Sequence, residues 1–482
     1  MRLYKTGDFY QYDSDNYSVT LNAVEISIRD MEDGRIRFSL NLKGRSAKLD
    51  IQEHFNCSEV LDRNGVKYGD DYQSVLDGIG KGSHTQVRLN TDSASGDAFG
   101  RVRTSEPVTI FDSKKLYGLS EGTYWNAQLG GNGTRTHIPA DSCVRHEVLG
   151  NGDYVIRQTK QRFNYQPGKS MLWFFTGRMN PVADTTARVG CFHGGFDAPY
   201  DVLDGLCFEH DGTSMSIANY KSGTARVKKA QSEWNIDRLD GTGPSGFTAD
   251  WTKAHIWVID YEWLGVGRVR YGVNIDGLTI YVHAINNANN VTSVYMRSPN
   301  QPIRYELRST GGATTMDEIC ASVQSEGGFN PQGLQAVLNL DGSLLSIGTG
   351  WELIYAFRIK QDEADATVEI GSIDVLTDSN VNYQWAVLWN PIIAGTLNWT
   401  DVQGASIQEV QGDGTTNLVT PIIAMASGHT DRAGERSAAS DFETSLKPGI
   451  NIDGTADVIA LAIKTIAGTG NFKGLIGVKQ LS

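Results

Sequence analysis

Cysteine, proline and helical periodicity are all scarce in this chain. Its 482 residues include 12 prolines and five cysteines. Cys57, Cys143, Cys191, Cys207 and Cys320 are odd in number and widely spaced. That argues against a dense disulfide framework and for folding in a reducing cytoplasm. No run approaches the roughly 18 consecutive apolar residues of a membrane helix, so membrane insertion is not expected. The opening stretch MRLYKTGDFYQYD lacks the apolar core of a secretory signal. Positive charge is also short: 43 Lys and Arg face 56 Asp and Glu, a net charge of -13. Without a basic face, the phosphates of a nucleic acid find no counter-charge. Nucleic acid is therefore not an expected partner, and a soluble protein, or one that docks on a basic surface, is.

Glycine and aromatic residues are abundant instead. The 53 glycines are spread along the chain, and aromatics make up 9% of it. Glycine supplies the positive φ of tight turns, so this spread predicts short strands joined by turns. Within residues 1–95, segments 18–28 and 36–42 read as strands around an Asp33-Gly34 turn, 72–79 as a short helix and 90–100 as a polar linker. Within 96–328, segments 154–163, 170–177, 255–261, 268–273 and 278–285 read as strands. The last three form a meander with turns at 264–267 and Asp276-Gly277, and 316–323 (MDEICASV) is the best helix candidate. Within 329–482, segments 351–360, 366–376, 383–388 and 458–466 read as strands, and 429–445 as a long polar excursion. The absence of a fixed-period repeat argues against a solenoid or propeller. The expected fold is mainly β: tandem antiparallel β-sandwich, jelly-roll-like domains at 96–328 and 329–482, behind a small β-rich N-terminal domain at 1–95.

Three constellations could carry chemistry, each with a plainer reading. Glu363, Asp365 and Glu369 spell ExDxxxE. On one strand, carboxylates at alternate positions share a face and can set the separation that a retaining glycanase needs. The spacing here is too long, and Asp362 and Glu363 fall between two strands, so a solvated turn is expected. Cys191, His193, Cys207 and His210 have the ligand types of a zinc site. C-x-H shares a strand face but C-x-x-H splits across two, so buried thiols and ordinary imidazoles are expected. Asn235, Asp237 and Asp240 in WNIDRLDGTGPSG are oxygen ligands in a glycine-rich loop, as calcium requires. Asx turns explain the same residues. There is no nucleophile elbow, P-loop or dinucleotide fingerprint. The expectation is no enzyme, no cofactor, and no catalytic or metal residues.

Several ordered strings resemble those of a family of tailed-phage virion-associated proteins, many of them marine. They are Phe99-Gly-Arg-Val-Arg103 with Ser105-Glu-Pro107, Phe111-Asp-Ser-Lys114, Tyr154-Val-Ile-Arg-Gln-Thr159 and Phe163-Asn-Tyr-Gln-Pro-Gly-Lys169. Trp234-Asn-Ile-Asp237 with Leu239-Asp-Gly-Thr-Gly-Pro-Ser-Gly246, and Glu262-Trp-Leu-Gly-Val-Gly-Arg-Val-Arg270, follow. Val294-Tyr-Met296, Pro302-Ile-Arg-Tyr-Glu306, Ile319-Cys320 and Ser325-Glu-Gly327 complete the set. The resemblance spans about residues 95–328. It implies lectin-like sandwich modules in a virion structural protein assembled in the host cytoplasm: a head decoration, head fibre, or neck or tail attachment protein. The implied partners are other virion proteins, further copies of the chain (a homo-oligomer, with trimers frequent among fibres) and, as an alternative, a host-surface glycan. A glycan depolymerase is the remaining reading. Residues 1–95 fall outside the resemblance and are expected to anchor. The chain departs from the family pattern at Gly194 to Asp204, which looks like an inserted loop.

Overall fold

The computed structural model describes residues 107–339, 342–430 and 447–481, together with the backbone of strands between residues 2 and 52 and at 436–438. The chain forms two units, Met1–Arg88 and Leu89–Ser482. In the first, Arg2–Thr6, Phe9–Asp13 and Ser18–Asn22 form one three-stranded antiparallel sheet, and Glu25–Asp30, Arg35–Leu42 and Arg45–Gln52 another. The stretch read as one strand at 18–28 is therefore two. The Asp33-Gly34 turn, the 72–79 helix and the 90–100 linker lie outside the described residues.

The second unit holds two sandwiches. In the first, an eight-stranded sheet faces a seven-stranded one. Thr314–Glu326 is an interior strand of the eight-stranded sheet and pairs with Ser170–Arg178 on one side and with Cys143–Val148 and Val108–Lys114 on the other. Ile303–Ser309 is an interior strand of the seven-stranded sheet, between Thr185–Gly194 and Tyr154–Thr159. Alternation sends Val189, Cys191, Phe208, Tyr305 and Leu307 inward from this sheet, against Trp173, Phe175, Trp257 and Val323 from the other. The meander at 255–285 forms with the predicted turn, where Asp276 and Gly277 both take positive φ (51° and 78°). That is the backbone a tight two-residue hairpin requires.

The second sandwich packs a six-stranded sheet, with Glu352–Ile359, Val458–Thr465 and Tyr383–Trp389 at its centre, on a five-stranded one built on Gly470–Leu481 and Thr367–Thr377. Phe357, Leu461 and Ile463 meet Val368, Phe472 and Ile476 between them. The polar excursion read at 429–445 lies largely outside the described residues, with Arg436–Ala438 added as a strand beside Thr367–Thr377.

The strand expected at 154–163 ends at Thr159, and the helix expected at 316–323 fails. MDEICASV is not helical but the middle of the 13-residue strand Thr314–Glu326. Over eight residues, an apolar run does not separate the two periods. Pairing on both edges decides for the strand, and a register shift opposite Thr176/Gly177 absorbs the irregular alternation. Among the described residues the only helices are single 3-10 turns, at 139–141, 231–233 and 361–363.

The segment 160–165 joins the sandwiches. Phe163 and Tyr165 point into the first core, where Phe163 meets Trp173 edge-on at 5.5 Å and Tyr165 stacks on Tyr261 at 6.2 Å. Lys160 points the other way: its Nζ donates to the Asp457 carboxylate at 2.6 Å and to the Gly122 carbonyl at 2.8 Å, fully enclosed. Trp389 of the second sandwich donates to the same carbonyl at 3.2 Å. Ile450 N–H donates to the Lys160 carbonyl at 3.1 Å, and Ile452 N–H to Asn126 Oδ1 at 3.0 Å. A buried pair that loses one partner leaves an uncompensated charge, a penalty of about 3–5 kcal/mol. Asp457→Ala should lower unfolding stability by about that amount in urea titrations. An unchanged midpoint would show that this pair does not hold the junction.

Candidate functional site

The outward face of the seven-stranded sheet carries a row of charges. Alternation that sends Tyr305 and Leu307 inward sends Arg304, Glu306 and Arg308 outward, and register sets Arg188 opposite both Glu306 and Glu209. Glu306 accepts from Arg188 at 2.6 Å and from Arg304 Nε at 2.9 Å, with Arg308 as a third donor. Glu209 accepts from Arg188 at 2.5 Å, from the Tyr220 hydroxyl at 3.1 Å and from Lys228. Burial alone would raise the Glu306 carboxyl, but the three guanidiniums outweigh it and hold it far below the ordinary carboxylate range.

The segment that sequence marks as an insertion closes over this row. Carbonyls of Pro199 and Tyr200 accept from Arg308 and Arg304, each at 2.7 Å, and Tyr200 meets Tyr154 edge-on at 6.3 Å. Phe196 reaches the core of the second sandwich. The fold-back starts at Gly194, where a Cβ would come within 2.3 Å of the Tyr200 carbonyl oxygen. Glu306 is thus sealed and fully paired, with no free oxygen to act as nucleophile or acid.

A second charge cluster lies between the two sheets. Glu318 accepts from Arg157 at 2.7 Å and pairs with Lys115 at 2.8 Å, with His146 3.4 Å away. Burial would raise Glu318, but Arg157 and then Lys115 hold it well down. Burial brings the Lys115 ammonium down to about 8, against the opposing pull of Glu318, and its Nζ sits 3.7 Å above the Trp125 ring. These are scaffold interactions, in which charge offsets charge out of water.

The constellations singled out from sequence fall as follows. Glu363 sits in a 3-10 turn beside Lys360, 3.4 Å away; Asp365 follows it, and its carbonyl accepts from Asn300. Glu369 lies on the next strand, paired with Lys447. The three do not share one strand face. Cys191 belongs to the first core, whereas Cys207 faces outward with Phe192 and Ala218. His193 bonds Gln301 at 2.9 Å, and His210 Nδ1 accepts the Gly212 N–H. Among the described residues no three His, Cys, Asp or Glu side chains are grouped as a metal site. Asp237 accepts the N–H groups of Leu239 and Ser245, Asp240 that of Thr242, and Asn235 pairs with Ala284. These are Asx-type loop locks.

A polar cleft of about 630 Å³ opens at the mouth of the second sandwich. Its floor is Tyr355, whose hydroxyl donates to Glu409 on the neighbouring strand Ile407–Gln411. Tyr355 lies directly opposite Gln411, and Thr400 opposite Glu409. Asn398, Thr400, Gln411 and Asn417 line the walls with Val337, Val402 and Val410. Asp413, also lining it, accepts the N–H groups of Thr415, Thr416 and Asn417. A second cleft, about 620 Å³, is lined by Arg358, Lys360, Asp362, Asp401 and Asp453. There Arg358 lies over the Trp399 ring at 4.4 Å.

Sequence reading passed over Tyr355, Glu409, Glu306, Glu318, Lys160 and Asp457. One signal was present: Arg304-x-Glu306-x-Arg308 places unlike charges on one face of a strand whose other face is Ile303, Tyr305 and Leu307.

No family model matches the chain, and no curated protein does. Solved structures similar to it include a Bacillus licheniformis β-glucanase, at 11% identity over 46% of this chain and 98% of that one, with a TM-score of 0.31. The carbohydrate recognition domain of Emp47p matches at 10% identity over 46% and 97%, TM-score 0.28. A lectin from Bauhinia forficata in complex with GalNAc matches at 13% identity over 46% and 98%, TM-score 0.27.

Carboxylates depressed in the folded state contribute stability that is complete above the unfolded value of about 4.3 and fades as pH falls toward the folded one. Glu306 and Glu318 are depressed in this way. The urea midpoint should therefore drop between pH 7 and pH 3. Glu306→Gln should lower stability at pH 7 and flatten this dependence. A wild-type midpoint that does not move with pH would remove these carboxylates from the stability of the fold.

Proposed function

We propose that the chain is a non-catalytic structural component of a tailed-phage particle, anchored through residues 1–95 and projecting two rigid sandwiches. The observation that carries this reading is the junction. The two sandwiches meet without a flexible linker: Lys160–Asp457 is enclosed between them, and residues 449–457 lie along the first sandwich. A projecting element needs that stiffness, and an enzyme with a hinged cleft does not. The ordered strings add support, because they serve the scaffold: Trp234 donates to the Lys229 carbonyl, Trp263 to that of Met296, and Phe163 fills the core. The net charge of -13 suits docking on a basic neighbour. Host-glycan binding is a second reading, favoured by the amide, hydroxyl and carboxylate groups that line the open Tyr355–Glu409 cleft.

Self-association is part of the proposal. Among the described residues, Ile423–Thr430 pairs on one side only, at the edge of the six-stranded sheet. From Gly414 to Thr430 the chain carries no Asp, Glu, Lys or Arg. Ile392, Ile422 and Ile423 are 63%, 60% and 39% exposed there. An uncharged apolar edge invites strand pairing. The occupant is a second copy, because two copies of one edge related by a two-fold axis pair antiparallel without further design.

The purified full-length chain should bind empty heads or tails of its phage and appear in a cryo-EM map of the virion. A protein missing from purified particles would overturn the particle reading. Sedimentation should show an oligomer, converted towards monomer by combined Ile422→Lys and Ile423→Lys. An oligomer that withstands both would move the contact elsewhere.

A further inference from the structure

We propose that the cleft at the mouth of the second sandwich is a binding site for a neutral saccharide. This rests on the glycan-binding reading and names its site and sugar class. Three observations carry it.

The first is the balance of charge. Among the described residues lining the cleft there is no Lys, Arg or His. An anionic ligand, such as a phosphate, a sulfated glycan or a sialylated one, would have nothing to offset it. A metal ion is not favoured either. The Asp413 carboxylate is already engaged by three backbone N–H groups and the Thr416 hydroxyl. Among the described residues, that leaves Glu409 as the one carboxylate in the cleft that does not hold its own loop.

The second is the arrangement of polar groups. Glu409 and Gln411 lie at alternate positions of one strand and so share a face. Glu409 is held by the Tyr355 hydroxyl, so little side-chain freedom is lost when a ligand hydroxyl donates to it. Burial and the adjacent Glu409 push the Tyr355 phenol well up, which keeps it a donor. Gln411 and Asn398 are exposed at the rim, and each amide both donates and accepts, as neighbouring sugar hydroxyls require.

The third is apolar surface beside these groups. Val337 is 52% exposed, and the half-buried Val402 lines the same cleft. A pyranose presents hydroxyls at its edge and C–H groups on its faces. A cleft with amide and carboxylate acceptors on one side and valines on the other matches both. At about 630 Å³ it lies in the size range of small-ligand sites, roughly 300–1,000 Å³.

The test titrates the full-length protein with uncharged trisaccharides of glucose, galactose and N-acetylglucosamine, with sialyllactose as the anionic comparison and calcium chloride as the cation. Binding is read by calorimetry and by saturation-transfer NMR. At least one neutral trisaccharide should bind, and sialyllactose and calcium should not compete. Glu409→Gln and Asn398→Ala should each weaken binding by roughly tenfold, the loss expected for one hydrogen bond to a ligand hydroxyl. Both variants should keep the wild-type melting temperature, since the amide oxygen introduced by Glu409→Gln can still accept from Tyr355 and Asn398 is exposed. Neutral-sugar binding that both variants leave unchanged would place the site elsewhere while the glycan reading stands. Silence across all trisaccharides, with the fold intact, would overturn both. Tighter binding of sialyllactose or calcium would overturn the neutral class.

Discussion

Two buried carboxylates set the terms for the first sandwich. Glu306 and Glu318 lie on interior strands of the two opposed sheets, Ile303–Ser309 and Thr314–Glu326, which follow one another in sequence. A carboxylate taken out of water is very unfavourable unless cations and hydrogen bonds surround it. Arg188, Arg304 and Arg308 surround the first, and Arg157, Lys115 and His146 the second. Arg304 and Arg308 flank Glu306 on its own strand, whereas Arg188, Arg157, Lys115 and His146 come from strands and loops far away in the chain. Neutralising two side chains therefore favours one register of these strands and one path of the loops around them. Arg157 also holds the Leu119 carbonyl at 2.7 Å, and Arg304 and Arg308 hold the carbonyls of the 195–203 loop. Such networks add less net stability than an apolar core of equal volume. They do make misregistered pairings unfavourable, because each would strand a charge.

The same constraint explains why the two sandwiches behave as one unit. Segment 160–165 alternates like a strand without being paired as one. Its aromatic members enter the first core, and Lys160 and Arg162 face the second sandwich, where the Thr367 hydroxyl donates to the Arg162 carbonyl at 3.1 Å. Phe196, near the start of the inserted loop, is half-buried against the second core. The loop thus serves the outer charge row and the junction at once. It supplies contacts that a shorter segment would leave to solvent.

Charge in this protein is used inside the fold, and this bears on its function. The carboxylates that would attract a catalytic reading are sealed, as Glu306 is, or dispersed, as Glu363 and Glu369 are. Among the described residues, what stays open includes two clefts, one of them without a cation in its walls, and an uncharged strand edge. They are where the proposed recognition of a glycan and of other copies would take place.

The sequence by itself determined many of the strands, the Asp-Gly hairpin turn and the local loop locks. The short apolar runs in WELIYAFRIK and HIWVIDY and the Asp-Gly turn at 276–277 are local signals, set by steric rules acting over a few residues. Asx turns at Asp237 and Asp240 are equally local, and so the plainer reading of that motif could be weighed from sequence. MDEICASV shows where local signals stop: with both edges free it fits either period, and only pairing with two neighbouring strands makes it β. The tertiary structure alone decided which strands are neighbours, and hence that Arg188 meets both Glu209 and Glu306, that Lys160 finds Asp457 across the junction, and that Tyr355 and Glu409 line one cleft. Each pair is separated by tens to hundreds of residues. Electrostatic and hydrogen-bond partners are chosen by distance in space, which a pattern read along the chain does not encode.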